Sequence, residues 1–176
     1  MALPDYQEVT QGTAVVWGES GGSGVTATLS VDALANGAAR MGASVDLGAN
    51  FARRYRVTLR VETGTAPTAG NTVDLHLVTS ADNSNWPAKV TGSDASYTLG
   101  TSDANLRQAG PPVVSLSATA DANTTVEQAP VIWEPEGRYV VPIVVNRLGQ
   151  AIRDQATNSN NTSRVILTPL RDVINE

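Results

Sequence analysis

The fold is decided by the stretch Tyr55-Arg56-Val57-Thr58-Leu59-Arg60-Val61-Glu62, in which apolar and polar side chains alternate without interruption. Successive side chains of a β-strand point to opposite faces of its sheet. The pattern therefore predicts a strand whose inward face carries Tyr55, Val57, Leu59 and Val61. Its outward face would carry Arg54, Arg56, Thr58 and Arg60.

The same period of two recurs in other parts of the chain. Residues 25–31 and 72–78 alternate in this way, and further candidate strands are 13–17, 43–47, 113–117, 131–134, 139–146 and 164–167. Clusters rich in Gly, Pro, Asn, Asp and Ser separate these runs and favour turns. Residues 102–107 are predicted to form one turn of helix. The chain is thus predicted to be all-β, an antiparallel β-sandwich of eight or nine strands with little helix.

The chain length of 176 residues fits one well-buried domain. We find no internal repeat and no linker long enough to separate two domains. The sandwich is expected to span residues 13–170. Residues 1–12 contain few apolar side chains and are predicted to form an N-terminal arm that is ordered on contact with a partner. Residues 171–176 are predicted to form a C-terminal tail.

Composition excludes several classes of partner and site. The net charge of −5 argues against a nucleic-acid partner, which requires a basic face to neutralise phosphates. The absence of cysteine excludes disulfides and thiolate metal sites. The first residues form no secretory signal, and no stretch approaches the roughly 20 apolar residues of a membrane span. We therefore expect a soluble protein made in a cytoplasm, without a membrane partner.

Residues that support catalysis are scarce. His76 is the only histidine and lies on the polar phase of the 72–78 strand, where a solvent-facing side chain is expected. The sequence contains no Cys nucleophile, no Gly-x-Ser-x-Gly motif, no phosphate-binding loop and no dinucleotide fingerprint. The prediction is a protein that is not an enzyme, with no catalytic residue, no bound metal and no cofactor.

Glu134 and Glu136 form the one conspicuous carboxylate pair, next to Trp133 and around Pro135. Paired carboxylates carry out glycoside hydrolysis, but such sites also use several aromatic platforms, and aromatic residues make up only 5% of this chain. A structural turn is the preferred interpretation. In that turn Pro135 and Gly137 make the bend, and Trp133 packs in the core or at its rim.

A second polar segment, residues 80–87, has two interpretations. Ser80, Asp82 and Ser84 place oxygen atoms at alternate positions, as in some Ca²⁺ sites. The segment lacks both the bend glycine and the closing glutamate of an EF-hand loop. The favoured interpretation is a hairpin turn in which Asp and Asn make local hydrogen bonds and Trp86 covers the core edge.

The arginines of the deciding strand are the strongest charge feature. Arg54, Arg56 and Arg60 are candidate partner-contact residues, because Arg makes bidentate and partly dehydrated contacts. Two interpretations stay open. The arginine stripe binds an acidic partner surface, or it is a solvated face balanced by acidic neighbours such as Glu62 and Asp74.

The second half of the chain carries a resemblance to a known group. The segments that carry it are Gly-Arg-Tyr-Val-Val-Pro-Ile-Val-Val-Asn at 137–146, Gly-Gln-Ala at 149–151, Val-Ile-Leu-Thr-Pro-Leu at 165–170 and the turn Thr-Ser-Ala-Asp-Asn-Ser-Asn-Trp-Pro at 79–87. Together they resemble small virion structural proteins of tailed bacteriophages, which are similar to capsid decoration, or cement, proteins with a jelly-roll or related sandwich fold. The resemblance implies no individual functional residue.

That resemblance implies a jelly-roll-like sandwich that binds the assembled major capsid protein on the capsid exterior. It also implies a homotrimer at three-fold or quasi-three-fold sites, made in the host cytoplasm. A protein that binds the mature shell and not the free subunits stabilises the shell by mass action. Two alternatives stay open. One is a tail or neck component of the virion, and the other is a carbohydrate-binding module with Trp17, Trp86 or Trp133 as stacking platforms.

Overall fold

A computed structural model describes residues 8–153 and 162–173 of the chain. Thirteen strands lie in these residues, together with a 3₁₀ turn, Thr101–Asp103, and a short helix α1, Ala104–Arg107. The strands are β1 (Glu8–Gln11), β2 (Val15–Gly18), β3 (Ala27–Thr28), β4 (Ala39–Met41), β5 (Val45–Asp46), β6 (Arg54–Glu62), β7 (Thr72–Ser80), β8 (Ala95–Tyr97), β9 (Val114–Ser117), β10 (Thr125–Glu127), β11 (Val131–Trp133), β12 (Tyr139–Arg147) and β13 (Arg164–Val173).

The strands form two sheets. Sheet A has seven strands in the order β10-β6-β13-β2-β3, with β11 also beside β6 and β1 also beside β13. Sheet B has six strands in the order β8-β4-β12-β7-β9, with β5 also beside β12. Every pair is antiparallel except the short β2–β3 pair. The predicted all-β sandwich is confirmed.

The strand order is that of a jelly roll. Eight strands carry the two sheets, namely β2, β4, β6, β7, β9, β10, β12 and β13. Numbered along the chain from one to eight, they lie as 1-8-3-6 in sheet A and as 2-7-4-5 in sheet B. The first strand therefore pairs with the last, and the second pairs with the seventh. This is the double Greek-key connectivity of a jelly roll.

The main core fills the space between the sheets, and β6 lies across it as predicted. The four inward side chains of β6 are all buried, with 0–3% of their surface exposed: Tyr55, Val57, Leu59 and Val61. Val57 and Leu59 lie opposite Leu167 and Val165 of β13. Each fully buried aliphatic side chain contributes about 1.5–3 kcal/mol through removal of apolar surface from water.

A second core covers the outer face of sheet B. Its members on β12 are Val141, Ile143 and Val145, which are all less than 1% exposed. The same core contains Tyr97 of β8 and side chains from the rest of the segment 86–109, among them Trp86, Val90 and Leu106. Strand β12 is thus buried on both faces, which explains why its sequence is a continuous apolar run rather than an alternation.

The prediction for His76 is wrong. Only 4% of its surface is exposed, and its ring Nδ1 lies 3.0 Å from the carbonyl oxygen of Gly110. His76 does lie on the outward side of β7, as the alternation of the strand indicates. Exposure was expected because the outward side was assumed to meet water, whereas the segment that follows α1 covers this side.

Burial of His76 makes stability depend on pH. Desolvation lowers the pKa of His76 below its ordinary 6.5, with Arg147 acting in the same direction and the Gly110 carbonyl, Asp74 and Asp103 opposing. The unfolded chain therefore takes up this proton first, and stability falls as the pH drops from 6.5 to the folded-state pKa, by about 1.4 kcal/mol per pKa unit. Urea unfolding at about pH 7.5 and about pH 5.5 should show a larger loss in the wild type than in His76→Gln. An equal loss of stability in the wild type and in His76→Gln would contradict the assignment of this pH dependence to His76.

The number of strands also differs from the prediction. The sequence predicted eight or nine strands because β1, β4, β8 and β10 have only three or four residues each, too few to show a period. Strand β1 lies in the predicted arm, residues 1–12, and pairs with residues 170–173, which enter the predicted tail, 171–176. The rest of both segments lies outside the described residues. No helix in the described ranges is long and apolar enough to cross a membrane.

Candidate functional site

The outward side chains of β6 and β13 form a partly exposed surface that we call the arginine face. It is built around Arg54, Arg56 and Arg60 on β6 and Arg164 on β13. In contrast to the outer face of sheet B, all outward residues of these two strands from 54 to 60 and from 164 to 170 keep partial exposure. The structure thus places the three predicted contact residues on one face, and their role in binding stays a prediction.

Register and ion pairing distinguish Arg60 from Arg56. Arg60 lies directly opposite Arg164, and its Nε donates to Glu127 Oε2 of β10 at 2.6 Å. Both partners of this pair are about two-fifths exposed, so it adds little stability. Arg56 makes no ion pair within the described ranges. It lies between Thr168 of β13 and Ile132 of β11.

Ile132 adds an apolar element to the arginine face. It is 57% exposed, and among the large hydrophobic side chains of the described residues no other is classed as exposed. Its position opposite Arg56 puts a guanidinium and an aliphatic side chain next to each other on one sheet surface. The centre of a protein interface is typically poor in lysine and acidic residues and rich in arginine and apolar side chains.

The two acidic residues named in the solvated-face interpretation do not balance this face. Glu62 is 5% exposed and bonds to Arg153 and to the Thr162 hydroxyl. Asp74 lies on sheet B, where it accepts from Arg147 Nε at 3.2 Å. On the face itself, Arg60 forms an ion pair with Glu127.

The three tryptophans have different environments. Trp17 is 0% exposed and donates from Nε1 to the Ala43 carbonyl at 2.7 Å, which removes it as a stacking platform. Trp86 is half-buried against the second core and donates to the Asn83 carbonyl at 3.2 Å. Trp133 is half-buried at the rim of the main core, with its ring centroid 6.3 Å from that of Tyr55.

The 80–87 segment makes the predicted local Asp and Asn hydrogen bonds, but the predicted hairpin is wrong, because β7 pairs with β12 and β9 while the next strand, β8, pairs with β4. Asp82 Oδ1 accepts the backbone N–H groups of Asn85 and Ser84, each at 2.9 Å, and Oδ2 accepts Asn85 Nδ2 at 2.6 Å. These bonds hold the pKa of Asp82 well below its usual range. The carboxylate oxygens of Asp82 therefore stabilise the turn through hydrogen bonds. Within the described ranges, no three His, Cys, Asp or Glu side chains are grouped to hold a metal ion.

The residues around Glu134 form the predicted bend, and they also border a cleft that the sequence did not predict. A Cβ atom on Gly137 would lie 2.7 Å from the Ser80 carbonyl oxygen, so the bend requires glycine at this close approach. The cleft has a volume of about 590 Å³ and lies between β11 with its following bend and the segment 108–113. Trp133, Glu134 and Glu136 all line it.

A smaller cavity of about 400 Å³ borders His76 and a charge network. Arg147 Nη2 donates to Asp103 Oδ2 at 2.7 Å, and Arg147 Nε donates to Asp74. The Asp103 hydrogen bond is the largest cause that raises the pKa of Arg147. These pairs connect β7 and β12 to the 3₁₀ turn. The charges are mutually paired, and we interpret the network as structural.

No family model matches the chain, and neither a curated protein nor a solved structure matches it. A jelly roll supports many unrelated functions, so the fold alone decides none of them. Function is therefore argued from the surfaces described above.

Proposed function

We propose that this chain is a non-catalytic virion structural protein that binds and stabilises the assembled capsid of a tailed bacteriophage. The arginine face of sheet A would contact the major capsid protein. One observation carries this proposal: the outer face of sheet B is sealed by the chain's own second core, whereas the outward residues of β6 and β13 keep exposure and carry arginines. A sandwich with one sealed face and one open, charged face is suited to docking on a surface.

The chemistry of the open face favours an acidic protein surface. Arg56 has no acidic partner within the described ranges, and Ile132 next to it is 57% exposed. Arg forms bidentate bonds with carboxylates and loses its hydration more readily than Lys. Burial of Ile132 would add an apolar contribution. A partner that presents carboxylates around an apolar patch would complement this pair.

The proposed role requires binding and no reaction. The only histidine is buried against Gly110, so the side chain that most often transfers protons at neutral pH is not available on the surface. Binding to the assembled shell in preference to the free subunits would stabilise the shell by mass action. Assembly as a homotrimer at three-fold or quasi-three-fold sites would add effective concentration at neighbouring contacts.

A charge reversal on the arginine face tests this proposal. Arg56→Glu should weaken binding to capsids by about tenfold or more, because it places a like charge against the acidic partner and breaks no ion pair in the described fold. Binding is measured by co-sedimentation with capsids assembled from the major capsid protein encoded in the same genome. The proposal also expects little binding to unassembled capsid subunits.

Arg107→Glu is the matched control. Arg107 lies on α1, over the outer side of sheet B, is exposed and has no ion pair within the described ranges. The control makes the same change of charge on the sealed side, and we expect wild-type binding. Equal losses for both variants would contradict the assignment of the arginine face. Binding to purified tails rather than to capsids would contradict the proposal that the capsid is the partner, and would favour a tail or neck component.

A further inference from the structure

The cleft beside Trp133 has the size and the setting of a ligand site. Its volume of about 590 Å³ falls in the range of 300–1,000 Å³ that is typical of ligand clefts. It opens between the edges of the two sheets, where β11 of sheet A faces residues that precede β9 of sheet B. We call it the Trp133 cleft.

The charge of the Trp133 cleft is negative. Its charged lining residues are Glu134 and Glu136, and its wall contains no Arg, Lys or His. Both glutamates are exposed, and neither has a hydrogen-bond or ion-pair partner within the described ranges. Two unpaired carboxylates at the mouth of one cleft favour a cationic ligand.

Trp133 gives the cleft an aromatic wall with a fixed orientation. Its ring packs at 52° to that of Tyr55, which is 3% exposed and belongs to the main core. Unlike the indoles of Trp17 and Trp86, the Trp133 indole makes no hydrogen bond within the described part of the chain. A half-exposed indole next to carboxylates is the arrangement that holds a guanidinium by cation–π contact and charge together.

The edge of β11 favours an extended ligand. In the described residues β11 pairs with β6 alone, so the backbone groups on its other side have no strand partner. Such an edge can accept an additional strand, with backbone hydrogen bonds for affinity and side-chain pockets for specificity. Residues 132–134, which comprise the end of β11 and the start of the bend, line the cleft.

We propose that the Trp133 cleft binds an extended, arginine-containing segment of a partner protein. One arginine would lie against the Trp133 indole, with its guanidinium facing Glu134 and Glu136. A neutral sugar would also stack on the indole and donate hydroxyl hydrogen bonds to the carboxylates, but only a cationic ligand gains Coulomb attraction from the two negative charges. This site has the opposite charge to the arginine face, and the proposal does not depend on capsid binding.

Peptide titration of the full chain tests this site. The probe is a terminally blocked peptide in which Arg alternates with Thr, and its matched partner has Gln in place of each Arg. The signal is the chemical shift of the Trp133 indole N–H, assigned by its loss in Trp133→Phe. We expect saturable shifts with the Arg peptide at millimolar concentration and none with the Gln peptide. A neutral malto-oligosaccharide should produce no shift.

Single charge removals locate the contact. Glu134→Gln and Glu136→Gln should each weaken binding of the Arg peptide by about two- to fivefold, the range for an exposed ion pair. Asp121→Asn is the matched control, because Asp121 is an exposed carboxylate outside the cleft lining. Its effect should stay within experimental error. Three results would overturn the proposal: no Trp133 shift with the Arg peptide, equal binding of the Gln peptide or the sugar, or equal losses in all three acidic variants.

Discussion

Replacement of Trp17 by alanine should lower the free energy of unfolding by about 3–5 kcal/mol, the range for buried aromatic residues. Trp17 is 0% exposed and belongs to the main core. It lies on β2 opposite Val165 of β13, so the substitution opens a cavity beside the β2–β13 pair. It also removes the Nε1 donor of the Ala43 carbonyl, at 2.7 Å in the wild type. The measurement is urea unfolding followed by far-ultraviolet circular dichroism.

Trp17→Phe separates the two parts of this loss. Phenylalanine keeps most of the apolar volume but cannot donate to Ala43, so we expect a loss of about 1–3 kcal/mol, the cost of an unsatisfied buried acceptor with some lost volume. A loss below about 1 kcal/mol for Trp17→Ala would contradict burial of this ring. It would also restore Trp17 as an exposed platform for sugars.

Asp94→Ala should lower the free energy of unfolding by about 3 kcal/mol, because it leaves a partly buried arginine without its partner. Asp94 accepts Arg40 Nε and Nη2, both at 2.8 Å, and also the Ser30 hydroxyl at 2.7 Å and the Ser30 backbone N–H at 3.1 Å. These bonds join β4, whose Ala39 and Met41 belong to the second core, to the chain after β3. The Asp94 side chain is only 14% exposed.

Because Asp94 titrates, the loss of stability in Asp94→Ala should depend on pH. Burial by itself raises the pKa of Asp94, but the hydrogen bonds from Arg40 and Ser30 outweigh it and lower the pKa below 3.8. The folded state therefore binds this proton more weakly than the unfolded state. The stabilising contribution is complete above the unfolded pKa and is lost as the pH falls through the lower folded value. The stability difference between wild type and Asp94→Ala should shrink below about pH 4.

Asp46→Ala is the matched control for Asp94→Ala. Asp46 also accepts a bidentate pair of bonds, from Arg138 Nε at 2.6 Å and Nη2 at 2.5 Å. Its side chain is 41% exposed, and water screens the pair. We expect a much smaller loss of stability for Asp46→Ala. Equal losses in the two variants would show that the burial of the Arg40–Asp94 pair contributes nothing.

Sequence periodicity predicted the parts of the fold where one face of a strand is buried and the other meets water. On β6 every inward residue was predicted, because Tyr55 through Val61 alternate and the sheet has an open outer face. Residues 25–31 alternate just as well, yet only Ala27–Thr28 form a strand. The chain leaves sheet A there, where the Thr28 carbonyl accepts the Ala43 N–H at 2.8 Å. Leu29 and Val31 remain buried at the sandwich edge.

The candidate sites were predictable to different degrees. The arginine face follows from one strand, so Arg54, Arg56 and Arg60 were placed correctly from sequence alone. Burial of His76 depends on a segment 30 or more residues later in the chain that folds back over sheet B, and no local pattern in residues 72–78 indicates it. The Trp133 cleft was missed for the same reason. Its second wall, residues 108–113, is distant in sequence from the bend that carries Glu134.

Cryo-electron microscopy of capsids saturated with this protein tests the central proposal most directly. The proposal predicts added density at three-fold or quasi-three-fold positions of the shell. The jelly roll should fit that density with Arg56 and Ile132 of sheet A against the capsid and the second core of sheet B toward solvent. Capsids without added density, or density in which the arginine face points away from the shell, would contradict the proposal.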